Sequence, residues 1–207
     1  MDTQNYFKYG FIKVSEKLRK SFNYLHSDEY YNGNRYREFS CVDLDTFEIS
    51  NKDSKTKFIQ SKNYNSFLGD TCRYYNNISD NIVNDYSFQN LLNIFKHYVY
   101  EKADYKLKHV YIHQIRVCVD NTNKVTPVPE GIHQDGYDYI CIFCVNRQNI
   151  TGGETVLYNL DKVSVSQQIL NDGEYVFLHD RNMYHYVSEI QTNDSGYRDI
   201  FVITTVR

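Results

Sequence analysis

His133-Gln134-Asp135 sets an imidazole and a carboxylate at positions i and i+2. On an extended backbone two such side chains leave one face roughly 7 Å apart, close enough for their tips to converge on one cation. The pair alone is a weak signal, because the chain has seven histidines and carries a second match, His26-Ser27-Asp28. Context separates them. His26 and Asp28 end a helical stretch and enter a loop of Tyr, Asn and Gly, whereas His133 and Asp135 stand between Pro127-Val128-Pro129-Glu130-Gly131 and the apolar run from Tyr139 to Val145. A ligand pair needs rigid support of that kind. A third ligand is required to define the geometry, and His185 is the best candidate. It follows the β-rich run Glu174 to Leu178 after a short polar turn and opens Tyr186-Val187-Ser188. Two imidazoles and a carboxylate on one face of an octahedron leave three positions open, which suits a non-haem iron(II) oxygenase better than a closed zinc site. Arg198 lies 13 residues beyond His185 and opens the final apolar run. A guanidinium there stays charged and can clasp a carboxylate with two hydrogen bonds, as a dicarboxylic cosubstrate demands.

The elements that must position these residues are mostly strands. His109 to Val119, Tyr137 to Val145, Thr155 to Tyr158, Glu174 to Leu178, Tyr184 to Ile190 and Asp199 to Val206 are rich in β-branched and aromatic residues, separated by Gly, Asn, Asp and Pro. Their spacing predicts an antiparallel sandwich or jelly roll with helices packed outside. Upstream, Phe11, Val14, Leu18, Phe22 and Leu25 predict a helix over about 15–26 with Ser15 as N-cap. Residues 36–60 read as a hairpin turning at Asn51-Lys52-Asp53-Ser54, and 61–82 as loop. Phe88, Leu91, Leu92, Phe95, Tyr98 and Val99 form one apolar stripe of a second helix capped by Asp85 or Ser87. No repeat, linker or low-complexity tract divides the chain, so 1–207 is expected to be one domain, with 1–108 supporting a β core over 109–207.

The 207 residues suffice for a sizeable core without a disulfide or metal to fold it. Hydrophobic residues make up 41 %, with 21 Tyr, 12 Phe and no Trp, a globular composition. A net charge of -3 gives no broad cationic surface, which argues against nucleic acid or an anionic membrane as partner and leaves a small molecule. Cys41, Cys72, Cys118, Cys141 and Cys144 lack the spacing of a disulfide framework. Cys141 and Cys144 have the CxxC interval, but inside a strand i and i+3 face opposite ways, so neither zinc nor a redox pair is expected. No apolar segment has signal-peptide length and none approaches about 18 residues, so a cytoplasmic protein is expected and the sequons at Asn77, Asn149 and Asn193 should be unused. Gly152-Gly153 is expected to make a tight connection at positive φ. Arg116 and Tyr137 are candidate substrate contacts, although Arg116 could equally pair with an acidic neighbour on the sheet.

The order His133-x-Asp135, Gly152-Gly153-Glu154-Thr155, Gly173, His185-x-Val187 and Arg198 resembles the double-stranded β-helix 2-oxoglutarate/iron(II) dioxygenases. Pro127-Val128-Pro129-Glu130-Gly131-Ile132-His133-Gln134-Asp135-Gly136, with the preceding His113-Gln114-Ile115-Arg116, is similar to the bacterial L-isoleucine 4-hydroxylase-type branch. Asp28-x-Tyr30 and Arg35-x-Arg37-x-Phe39-Ser40 fit that branch more loosely. The resemblance implies a jelly-roll fold and Fe(II), 2-oxoglutarate and O2 as cofactors. Arg198 would hold the distal carboxylate, and a C–H bond would be hydroxylated with release of succinate and CO2. It further implies a free aliphatic L-amino acid as substrate; a peptide-bound or carrier-tethered residue is the alternative, and a cupin-like metal sensor without oxygen chemistry a third. Many relatives have a hydroxyl residue two positions after the arginine, where this chain has Ile200. A second cosubstrate contact must therefore come from elsewhere.

Overall fold

A computed structural model describes residues 3–206 apart from Asn32, Lys52 and Asp104. The chain runs β1 (Phe7–Phe11), α1 (Glu16–Ser21), β2 (Arg35–Asp43), β3 (Glu48–Ile49), β4 (Lys55–Phe58), β5 (Arg73–Asn76), α2 (Asp80–Val83) and α3 (Tyr86–Lys102). The β core follows as β6 (His109–Asp120), β7 (Tyr139–Gln148), β8 (Thr151–Gly152), β9 (Glu154–Tyr158), β10 (Ser164–Ile169), β11 (Glu174–His179), β12 (Tyr184–Val187), β13 (Ile190–Gln191) and β14 (Ser195–Val206). Seven strands form a major antiparallel sheet in the order β1-β11-β7-β14-β6-β2-β3, faced by the smaller sheet β10-β9-β12. This is the jelly roll that the strand spacing predicts.

The major sheet is buried on both faces, which explains why β7 reads as an unbroken apolar run rather than an alternation. One face of β7 sends Tyr139, Cys141, Phe143 and Val145 towards the helices, together with Leu91, Leu92, Phe95 and Val99 of α3. The other sends Ile140, Ile142 and Cys144 inwards, against Leu157 of β9 and Leu170 and Met183. Cys141 and Cys144 therefore occupy different cores, as the strand period requires, and both are free thiols. Six buried residues on one stripe hold α3 to the sheet, each contributing roughly 1.5–3 kcal/mol by leaving water. Asp85 caps α3 by accepting from the Ser87 and Phe88 N–H groups, and its other oxygen takes the hydroxyl of Ser15, which itself caps α1. The two outer helices are thus tied together at their N-termini.

Several boundaries differ from the sequence expectation. The first helix stops at Ser21 and tightens into a 3-10 turn over Phe22–Tyr24. The hairpin after β2 turns at residues 44–47, where Asp43 accepts from the Asp45 and Thr46 N–H groups, and not at 51–54. Of that second turn, Lys52 lies outside the described residues. Strand β4 pairs instead with β5, inside the stretch expected to be loop. The run from Tyr184 to Ile190 is two strands, β12 on the sheet with β9 and β10 and β13 paired with β8, and β1 and β10 are further strands that the sequence pattern does not show. No helix among the described residues is long and apolar enough to cross a membrane.

Candidate active site

The site begins with a backbone bridge. The His133 N–H donates to the His185 carbonyl at 3.1 Å and the His185 N–H returns to the His133 carbonyl at 2.9 Å. That pairing places the two imidazoles side by side, with ring centroids 4.3 Å apart. The His133 Nδ1 lies 2.9 Å from the Gly131 carbonyl, which selects the tautomer with Nδ1–H and leaves the Nε2 lone pair free. Asp135 completes the group: its Oδ1 is 3.4 Å from Nε2 of His133 and its Oδ2 is 3.8 Å from Nε2 of His185. One ligand atom from each of the three residues lies within 4.8 Å of the others. The three side chains are 9 %, 17 % and 5 % exposed for His133, Asp135 and His185, so the cluster is largely shielded from water.

The three groups pull on one another electrostatically. Burial opposes charge on His133, but the hydrogen bond and charge of Asp135, with Glu130, outweigh it and push His133 up to about 9. Burial and the charge of His133 push His185 down to about 3. Burial works against the ionised form of Asp135 as well, yet the neighbouring histidines hold it well below the usual carboxylate range. With Nδ1 of His133 engaged by Gly131, two neutral imidazoles and a carboxylate here would present three donors to a divalent ion. The N2O set, with its carboxylate and free Nε2 atoms, fits iron(II).

Asp180 organises the loop that carries Asp135, and nothing in the sequence singled it out. It is completely buried, and its carboxylate accepts from the backbone N–H groups of Asp135 (3.1 Å), Gly136 (2.7 Å) and Tyr137 (3.0 Å). Its Oδ1 also lies 3.8 Å from Nδ1 of His185. Burial and the nearby Asp135 push Asp180 up to about 7, while those N–H donors pull the other way. With both oxygens already accepting, the geometry belongs to the ionised form. The turn requires Gly136, whose φ is +88° and whose added Cβ would lie 2.5 Å from the ring of Tyr64. From the other side, Gln60 donates through Nε2 to the carbonyl (3.0 Å) and Oδ1 (3.2 Å) of Asp135, and Asn65 holds Gln60 in turn.

His133, Asp135, His185 and Gln60 line a cavity of about 790 Å³, mouth included, on which Arg198 also opens. Arg198 is 1 % exposed, and its Nε and one Nη have no hydrogen-bond partner among the described residues. Burial pushes its pKa down, opposed by the Cys144 thiol. Tyr137 lines the cavity, and burial pushes its hydroxyl upwards. Arg116 does not line it. On β6 the cavity takes His113, Ile115 and Val117, while Arg116 points to the opposite face and donates through Nε and Nη2 to Asp199 at 2.6 and 2.8 Å. Asp199 is the direct register partner of Arg116 on β14, so the salt bridge satisfies the guanidinium and the expectation of a substrate contact there is corrected. Gly152 and Gly153 take φ of +74° and +71°, as a tight connection requires; neither lines the cavity, although Gly153 packs close to the stem of Arg198. The cavity also gathers Arg35, Arg37, Gln60, Arg73 and Glu130. Arg35-x-Arg37 shared one strand face and was legible as a pair, but Gln60 and Arg73 come from segments whose pairing was misread.

The fold resembles several solved structures. A bsmA homologue from Methylobium petroleophilum is 21 % identical, with a TM-score of 0.75 over 91 % of this chain and 79 % of that one. IDO from Bacillus thuringiensis is 18 % identical, with a TM-score of 0.73 over 92 % and 81 %. The Fe(II)/α-ketoglutarate-dependent dioxygenase TqaL is 16 % identical, with a TM-score of 0.66 over 96 % and 82 %. A search of curated proteins finds no match. The family model described as 2OG-Fe dioxygenase matches residues 19–204, nearly the whole chain. The chain therefore belongs to the 2OG-Fe dioxygenase family and is an oxygenase that uses Fe(II), 2-oxoglutarate and O2.

Proposed function

We propose that this enzyme hydroxylates an unactivated C–H bond of a free aliphatic L-amino acid, with His133, Asp135 and His185 as iron ligands and Arg198 as the clamp for the distal carboxylate of 2-oxoglutarate. The observation that carries the reading is the convergence of the three donors in the cavity that Arg198 enters with unpartnered N–H groups. Iron(II) with 2-oxoglutarate supplies oxygen activation, yielding succinate and CO2 and one oxygen atom for the substrate carbon. The chain's own residues bind, orient and exclude water. The Nδ1–H of His133 is held by Gly131, Asp180 and Gln60 fix the Asp135 loop, and the apolar walls of Ile115, Val117, Ile142, Val187, Ile200 and Val202 keep the clamp dry. In such surroundings a guanidinium–carboxylate pair is far stronger than in water.

The free amino acid is favoured over a peptide-bound or carrier-tethered residue by the cavity itself. It is walled by Arg35, Arg37 and Arg73, cations for a free α-carboxylate, and Glu130 presents one unpartnered buried oxygen as an acceptor for an ammonium. The similarity of residues 127–136 to the L-isoleucine 4-hydroxylase-type branch supports an aliphatic side chain. We also read 1–207 as one working domain, because Arg37, Gln60 and Arg73 from the N-terminal half meet the ligands from the β core in one cavity.

The test is succinate formation from 2-oxoglutarate by anaerobically purified protein supplied with Fe(II), ascorbate and O2, in the presence of pools of L-amino acids. Turnover dependent on an aliphatic pool, and abolished in His133→Ala, is the expected result. Succinate that forms at the same rate with every pool and with none would refute the substrate assignment.

A further inference from the structure

Besides Arg198, three arginines (Arg35, Arg37 and Arg73) enter the active-site cavity, whose wall carries only two carboxylates, Glu130 and Asp135, among the described residues. Arg37 and Arg73 are 6 % and 1 % exposed. The Nε of Arg37 and both Nε and one Nη of Arg73 lack a hydrogen-bond partner among the described residues. Arg35 has an unpartnered Nε as well, and its ion partner is Asp28, at 3.7 Å from that atom. Neither Arg37 nor Arg73 makes an ion pair among the described residues.

The remaining surroundings hold the two guanidiniums in place without neutralising them. Arg37 donates from Nη2 to Nδ1 of His113 at 2.7 Å. Burial first, and then the charge of Arg37, keep that imidazole neutral, so it accepts and carries no compensating charge. Arg37 lies 4.5 Å from the ring centroid of Tyr75 and 5.2 Å from that of Phe58, and Arg73 lies 4.6 Å from that of Phe58. His113 is in turn stacked on Phe39 at 4.4 Å. Aromatic faces of this kind orient a guanidinium and offset only a fraction of its lost hydration. Two like charges buried around one aromatic ring, both on the wall of one cavity, are costly unless an anion joins them. Arg198 cannot be what they serve, since it is a buried cation too.

We infer that Arg37 and Arg73 form the subsite that receives the carboxylate of the substrate, separate from the clamp at Arg198, so that the enzyme accepts small molecules with a free carboxylate and rejects the same molecules as amides. The inference rests on the proposed function for the position of 2-oxoglutarate. Arg73 supplies an Nε and an Nη with no other partner, the edge of a guanidinium that matches a carboxylate, and Arg37 adds its Nε. His113 and the ring of Phe58 fix the two side chains before the ligand arrives, so little ordering is left to do on binding. Asp135 and the arginines line the same cavity, which places the rest of a small substrate between this subsite and the metal ligands. A carbonyl amide would leave an N–H2 pointing at guanidinium donors.

The test uses the full-length protein loaded with Mn(II) and kept free of oxygen, in wild-type form and as R37Q and R73Q. The first readout is the affinity for 2-oxoglutarate, and the second is calorimetric binding of L-isoleucine, L-leucine and L-valine and of their carboxamides to the 2-oxoglutarate-loaded protein. The expected result is that at least one of the acids binds, its amide binds on the order of 100-fold more weakly, and either substitution weakens the acid by a similar factor. 2-Oxoglutarate affinity should stay within about threefold of wild type in both variants, since truncating one buried contact affects its own ligand. Amides binding as well as acids, variants binding the acids unchanged, or no acid binding to a wild type that holds 2-oxoglutarate would overturn the inference. Loss of 2-oxoglutarate from R37Q or R73Q would overturn it too, by assigning them to the cosubstrate. A wild type that fails to bind 2-oxoglutarate would instead refute the proposed function. Should a variant be unstable, R73K keeps the charge and loses the fork, and is expected to bind the acids more weakly than wild type and more tightly than R73Q.

Discussion

Asp180→Asn removes one charge and changes one atom, yet it should disable metal binding. In the wild type a single carboxylate takes three backbone N–H groups from consecutive residues of the loop that carries Asp135, at 3.1, 2.7 and 3.0 Å. An asparagine can keep its carbonyl oxygen where Oδ2 stands and so retain Gly136 and Tyr137. Its NH2 must then face the N–H of Asp135, donor against donor, in a site with no access to water. Hydrogen bonds to charged groups are worth roughly 1.5–3 kcal/mol each, and an unsatisfied buried donor costs about 1–3 kcal/mol. Losing one such bond and weakening two others therefore amounts to about 3–5 kcal/mol, most of it charged to the loop that presents Asp135. Misplacement of a ligand through its supporting contact costs about 10–100-fold in metal affinity. Equilibrium dialysis with Mn(II), alongside urea unfolding of the metal-free protein, measures both effects. A D180N protein with an unchanged urea midpoint and Mn(II) affinity within about threefold of wild type would refute the reasoning, and would mean that the loop holds its shape without the anion.

Arg198→Gln should raise the KM for 2-oxoglutarate on the order of 100-fold, because a buried charged pair loses about 2–5 kcal/mol when one partner is truncated; steady-state succinate assays over a range of 2-oxoglutarate concentrations measure it. Arg116→Gln should leave substrate KM unaltered while lowering the urea midpoint, since it strands the buried Asp199 carboxylate, whose pKa burial pushes up to about 6 against the pull of Arg116. Burial pushes the Cys144 thiol up to about 11, so the folded protein keeps a proton that the unfolded chain releases near its ordinary value. Stability is then lost as pH rises through the interval between the two, at up to about 1.4 kcal/mol per pH unit, and urea unfolding of wild type at pH 8 and pH 10.5 should show a steeper loss than C144A.

The convergence of His133, Asp135 and His185 was legible because these residues come from short, local patterns. His133-x-Asp135 needs only an extended backbone, and His185 and Arg198 each open a strand whose composition is plain. What the sequence concealed is non-local. Asp180 reads as a turn residue after β11, and its role depends on a loop 45 residues earlier folding against it. Gln60 and Arg73 reach the cavity because β4 pairs with β5, and neither strand has an alternation strong enough to outweigh the polar residues around it. Arg116 was ambiguous for a similar reason. Strand period puts it on one face with Gln114, but which face meets the cavity is decided by the register that sets Asp199 opposite it. The hairpin was misplaced because Asp43 caps a tight turn at Asp45 and Thr46, ahead of the polar cluster that begins at Asn51 and looked like the turn.

The most direct measurement is the crystal structure of the protein with Mn(II) and 2-oxoglutarate bound under anaerobic conditions, with the ion located by its anomalous scattering. The ion is predicted within about 2.0–2.3 Å of Nε2 of His133, a carboxylate oxygen of Asp135 and Nε2 of His185, with the distal carboxylate of 2-oxoglutarate on the guanidinium of Arg198. An ion held by any other set of residues, or a distal carboxylate seated on Arg37 and Arg73, would contradict the account.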